Sequence, residues 1–96
     1  MSAAPASALR NVSVTLQNTA DSRAIVEAIQ ADNPAAQIRE FPSMVKIDAP
    51  GRLAVRAASV SERLGRPWET QEIHLSIISL SGSVDDDDDE FVLFWK

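Results

Sequence analysis

Six consecutive carboxylates, Asp85 to Glu90, stand between two strongly apolar segments, Ile73 to Leu80 and Phe91 to Trp95. Charges of one sign cannot share a small core, so the run must reach water while its flanks bury their side chains. The simplest arrangement is strand, solvated acidic loop, strand, with the apolar mass paired. That pairing is the frame into which the rest of the chain must fit.

The run also distorts the charge balance. The chain has 14 acidic and 9 basic residues and a formal net charge of −5. Six of the acids lie in the run, leaving a nearly neutral body of eight acidic against nine basic residues. No cationic surface is large enough to neutralise several phosphates, which argues against nucleic acid and, for the same reason, against an anionic membrane. No segment approaches the ~20 apolar residues that a membrane helix needs. The start, MSAAPASALR, lacks the pattern of a secretory signal, and the absence of cysteine fits a cytoplasmic setting. Ninety-six residues at 45% apolar content bury one core, so residues 10–96 are expected to form a single domain behind a mobile tail at 1–9.

Asn11 to Gln17 alternates, with Val12, Val14 and Leu16 on one side and Ser13 and Thr15 on the other, as a half-buried strand does. Thr19 or Asp21 then caps a helix whose stripe of Ile25, Val26 and Ile29 repeats at spacings of three and four. Pro34 ends it. Gln37 to Phe41 and Met44 to Asp48 read as a hairpin. After the Pro50-Gly51 turn, Arg52 to Ala57 alternates again, and S-V-S-E at Ser59 matches a capping box opening a short helix that Gly65 and Pro67 close. The two apolar segments then follow as strands. The expected fold class is therefore α+β: two βαββ units, at about 10–49 and 50–96, in a two-layer domain.

The alternation breaks in the fifth strand. Ile73, Leu75 and Ile77 hold one phase, Ile78 and Leu80 the other, and a bulge near Ile77 and Ile78 would restore the register. Either the strand bends there to follow the sheet, or Ile78 to Leu80 leaves the core and presents apolar groups to a partner. The last strand is apolar on both faces, which suits a strand covered on two sides or an end strand whose outer face takes a partner.

Catalytic chemistry is not legible. His74 is the only histidine and has no thiolate or second imidazole to share a metal or a triad, so it reads as a partly exposed strand residue. The acidic run lacks the oxygen spacing and turn glycine of an EF-hand loop. Gly51, Gly65 and Gly82 are too far apart to cradle a phosphate. A carboxylate site assembled by folding stays open, as does a stand-alone ligand- or protein-binding module.

Three stretches carry a resemblance: LQNTADSRAIVEAIQADNP at 16–34, MVKIDAPGRLAVR at 44–56 and QEIHLSIISLSGSVDDDDDEFVLFW at 71–95. Together they resemble the small regulatory, or coupling, component of bacterial multicomponent phenol and toluene monooxygenases, a family that includes the longer effector of soluble methane monooxygenase. The resemblance implies two βαββ units, no cofactor and no metal, no catalysis by the chain alone, and binding to a di-iron hydroxylase with a functional link to its reductase. It also implies a hydroxylase-facing surface at Ile78, Ser79 and Leu80, with Asn33 and Phe94 as further candidates. Ala35 and Ser43 stand where such proteins usually have glycine, so those turns are expected to take a geometry that other residues tolerate.

Overall fold

The computed structural model describes residues 10–95; the expected tail at 1–9 lies outside them. The alternation at Asn11–Gln17 forms strand β1, with Val12, Val14 and Leu16 fully buried. Helix α1 follows at Ala20–Asp32, capped by Thr19, whose Oγ1 accepts the Ser22 amide at 3.2 Å. It buries Ala24, Ile25, Ala28 and Ile29. Strands β2 (Gln37–Glu40) and β3 (Met44–Pro50) complete the expected first unit. None of the described non-glycine residues has a positive φ, so Ala35 and Ser43 turn the chain without backbone strain.

The second half departs from expectation. Strand β4 (Arg52–Arg56) runs directly into helix α2 (Ala57–Leu64). The capping box expected at Ser59 is not formed: the helix begins two residues earlier, so Ser59 already lies inside its first turn. A capping box occurs instead at Glu69 and Glu72, opening a 3-10 helix at Thr70–Leu75. Residues 70–75 therefore do not belong to the strand predicted from Ile73. Buried Thr70, Ile73 and Ser76 recur at intervals of three, the period of a 3-10 helix rather than of a strand.

Strand β5 is only Ile77–Ser81. Beyond Gly82, β6 (Ser83–Asp86) takes the first two acids of the run and pairs with β7 (Glu90–Phe94), so the acidic segment is a hairpin rather than a free loop.

Among the described residues, seven strands form two sheets, in the orders β2-β3-β1-β5 and β4-β7-β6. The halves are interleaved: β5, from the second half, pairs antiparallel with β1 of the first. The chain passes directly from one sheet to the other at Gly51 and Gly82, both at positive φ (+76° and +129°). A Cβ on Gly82 would lie 3.1 Å from Val12 Cγ1 and 3.2 Å from the Phe94 carbonyl, so the crossing is too tight for a side chain. α1 packs on α2 and β4. One continuous core takes Val14, Leu16, Ile25 and Ile47 from the first half and Leu53, Val60, Ile73, Phe91 and Leu93 from the second.

The two-faced last strand is resolved in favour of coverage. β7 is the central strand of its sheet, and Phe91, Val92 and Leu93 are all buried.

Candidate docking site

β5 lies at the edge of the four-stranded sheet, so one of its sides has no strand neighbour. Its register with β1 pairs Leu16 with Ile77 and Thr15 with Ser79, leaving Ile78 as an extra residue. The expected bulge is therefore present and falls on Ile78. Ile78 is 53% exposed. Ser79 is exposed, while Leu80, opposite Val14, is half-buried against the core. The two readings of the phase break thus hold for different residues: Leu80 returns to the core and Ile78 leaves it.

The stretch just before β5 carries a residue whose strand phase, shared with Ile73 and Ile77, points the wrong way. Leu75 ends the 3-10 helix and is 78% exposed, the most exposed of the large apolar side chains described. Strand periodicity placed it beside Ile73; helical periodicity of three places it outward. The Glu69-x-x-Glu72 spacing was the available signal, obscured because serine and threonine are the usual capping residues.

The 3-10 helix is held from three directions. Glu72 Oε2 accepts the Glu69 amide at 2.9 Å and Oε1 accepts from Arg66 at 3.3 Å. The Glu69 amide first and Arg66 second hold the Glu72 carboxyl below its ordinary value. Thr70 Oγ1 donates to the Asp87 carbonyl at 2.6 Å, tying the helix to the acidic hairpin. His74, expected on a strand, is on this helix, with Nε2 3.6 Å from Asp86 and its ring edge-on to Phe91.

The acidic hairpin has structural work beyond solvation. Asp87 Oδ1 accepts the Glu90 and Asp89 amides at 2.9 and 2.8 Å, which lowers the Asp87 pKa. The Asp89 carbonyl accepts the Ala57 amide at 2.8 Å and so caps the N-terminus of α2, where carboxylates also suit the helix dipole. Among the described residues, no group of three or more His, Asp or Glu side chains is arranged to hold a metal ion.

The structure does not gather all the predicted site residues. Ile78, Ser79 and Leu80 are consecutive on β5. Asn33 lies at the end of α1 against β4 of the other sheet: its Nδ2 donates to Ala54 O and Ile29 O (2.8 and 2.9 Å) and its Oδ1 accepts the Ala54 amide at 3.0 Å. Phe94 is half-buried near the end of β7, between Arg52 and Ser83. No helix among the described residues is long and apolar enough to cross a membrane.

Two sheets built from interleaved halves, with a short bulged edge and large apolar side chains exposed beside it, make up a small α+β domain with no assembled catalytic or metal site among the described residues. The chain belongs to the MmoB/DmpM family, whose model matches residues 10–94. It is 45% identical over 85 residues to the stimulatory component DmpM of phenol 2-monooxygenase from Pseudomonas sp. (strain CF600), covering 88% of this chain and 94% of that one. Its fold superposes with a TM-score of 0.85 on a chain from a phenol hydroxylase–regulatory protein complex, at 40% identity, covering 91% of this chain and all of that one. The soluble methane monooxygenase regulatory protein B shares the fold (TM-score 0.72, 20% identity), with 90% of this chain covering 65% of that one.

Proposed function

We infer that this chain is the non-catalytic regulatory component of a multicomponent monooxygenase of the phenol type, acting by binding the hydroxylase. The observation that carries the reading is the 45% identity to a phenol 2-monooxygenase stimulatory component across nearly the full length of both chains. A regulatory protein acts by differential affinity: binding the competent hydroxylase state more tightly shifts the hydroxylase toward it. Such a protein needs a surface, not a catalytic group. The bulged edge at Ile78 to Leu80 is the docking surface in this reading, and exposed Leu75 extends it. The reading also includes a cytoplasmic setting and a functional link to the reductase through the shared hydroxylase.

Titration of the protein into its cognate hydroxylase and reductase tests the reading, with product and NADH consumption followed together. Added protein is expected to raise product formed per NADH. Turnover and coupling indifferent to it would overturn the reading. For the surface, Ile78→Asp is the clean probe, because Ile78 is exposed whereas Leu80 packs against the core. It is expected to weaken hydroxylase binding and leave the free protein folded.

A further inference from the structure

The four large apolar side chains described as exposed are Phe41, Leu75, Ile78 and Val84. Three of them fall at one rim of the four-stranded sheet, the rim where β1 ends. Gln17 lies opposite Met44 on β3, and Leu16 lies opposite Ile77 on β5. Phe41 follows β2 at the same rim, its amide donating to the Met44 carbonyl at 2.8 Å.

Hydrogen bonds run along this rim from strand to strand. Asn18 Nδ2 donates to the Phe41 carbonyl at 2.9 Å, and the Asn18 amide donates to Ser43 O at 3.2 Å. The Gln17 amide donates to Ser76 O at 2.8 Å. Asn18 and Gln17 thus fix the Phe41 corner and the Leu75–Ile78 corner to the same strand end. Those corners stand three strand spacings apart, roughly 14 Å.

We propose that Phe41 is a second anchor for the hydroxylase component, and that the docking surface runs along the whole rim from the β2–β3 hairpin to β5. The proposal rests on the docking reading above and extends it to residues that neither the phase break nor the resemblance pointed to. The rim is continuous with the β5 edge, so a protein seated on Leu75 and Ile78 meets Phe41 within the span of an ordinary interface, about 800 Å² per partner. Its complement on the hydroxylase is two apolar depressions roughly 14 Å apart, with hydrogen-bonding groups between them facing Gln17, Asn18 and Ser43. The bulge at Ile78 favours this mode over strand addition, because a bulged edge pairs poorly with another strand.

Binding of Phe41→Ala, Leu75→Ala, the double variant and Val84→Ala to the cognate hydroxylase, measured by calorimetry, tests the proposal. Phe41→Ala and Leu75→Ala are each expected to raise Kd about five-fold or more, as loss of a contact in a buried interface does. At that separation their effects should multiply in the double variant. Val84→Ala, away from the rim, should leave Kd unchanged. Phe41→Gln serves as a second variant should the alanine protein prove unstable, with circular dichroism of each free protein as the control for folding. Weakening by Leu75→Ala with Phe41→Ala unchanged would confine docking to β5 and overturn the second anchor. No change from Leu75→Ala, Ile78→Asp and Phe41→Ala together would overturn the docking surface itself. Amide exchange gives a further readout: the Met44-bonded Phe41 amide should gain protection in the complex, and no gain there would count against the proposal.

Discussion

Asn33 shows how a polar side chain at a helix end can serve as a strand. Its carboxamide presents a donor and an acceptor to the Ala54 carbonyl and amide, as a neighbouring strand would, and so occupies part of the open side of β4. The resemblance implied a role toward a partner; within the chain, the amide already makes three hydrogen bonds. Replacing it with alanine strands both Ala54 backbone groups beside the half-buried end of α1. Asn33→Ala is expected to lower stability by about 1–3 kcal/mol, read as a lower urea midpoint at an unchanged slope. Unchanged stability together with weaker hydroxylase binding would instead assign Asn33 to the interface.

The elements differ in how plainly the sequence announces them. β1, α1, β3 and β4 were legible because each repeats one period long enough to be counted, and because Thr19 and Pro34 mark the ends of α1. The 3-10 helix was not legible, because Ile73 and Leu75 also fit a strand and six residues do not separate periods of two and three. The change of phase marks Ile78, where the bulge falls, while the same ambiguity between periods hides Leu75. The charge of the acidic run announces only its solvation, whereas its backbone caps α2 and braces the 3-10 helix. This local order depends on ionised carboxylates. Glu72 and Asp87 both have folded pKa values below their ordinary ones, so each contributes stability that is present above the ordinary value and lost as pH falls through the lowered one. Stability followed into acid should therefore decline through that window, and Glu72→Gln should flatten part of the decline because its charge is no longer there to lose. An acid limb identical to that of the unsubstituted protein would mean that the capping box contributes nothing to the linkage. Asp87 is exposed and Glu72 is partly exposed, so solvent screens both and the effect is expected to be modest.

At the scale of the whole molecule, the first half runs strand, helix, strand, strand, the second adds a 3-10 helix and a further strand to that order, and the two do not form separate bodies. The first half supplies β1, β2 and β3 to the four-stranded sheet, but the fourth strand, β5, comes from the second half. The second half packs β4 and α2 against α1 of the first. The ends of the described chain are joined as well: Trp95 Nε1 donates to Asn11 O at 2.8 Å, and the Arg10 guanidinium lies 4.3 Å above the Trp95 ring. A half on its own would expose one side of the shared core, including Leu16, Ile25 and Ile47 in one case and Leu53, Ile73 and Phe91 in the other. Burial of these side chains is worth about 1.5–3 kcal/mol each, and stabilities of small domains are only about 5–15 kcal/mol, so neither half can lose its partner and remain folded. Expressed separately, residues 1–50 and 51–96 are expected to lack dispersed amide NMR signals, and mixing them should restore both the dispersion and the ability to bind hydroxylase. The intact chain should unfold in one transition, with fluorescence of Trp68 and Trp95 coinciding with far-ultraviolet circular dichroism. A folded isolated half, or two separated transitions, would show that the βαββ units are independent bodies and that the shared core is not what holds the docking rim in place.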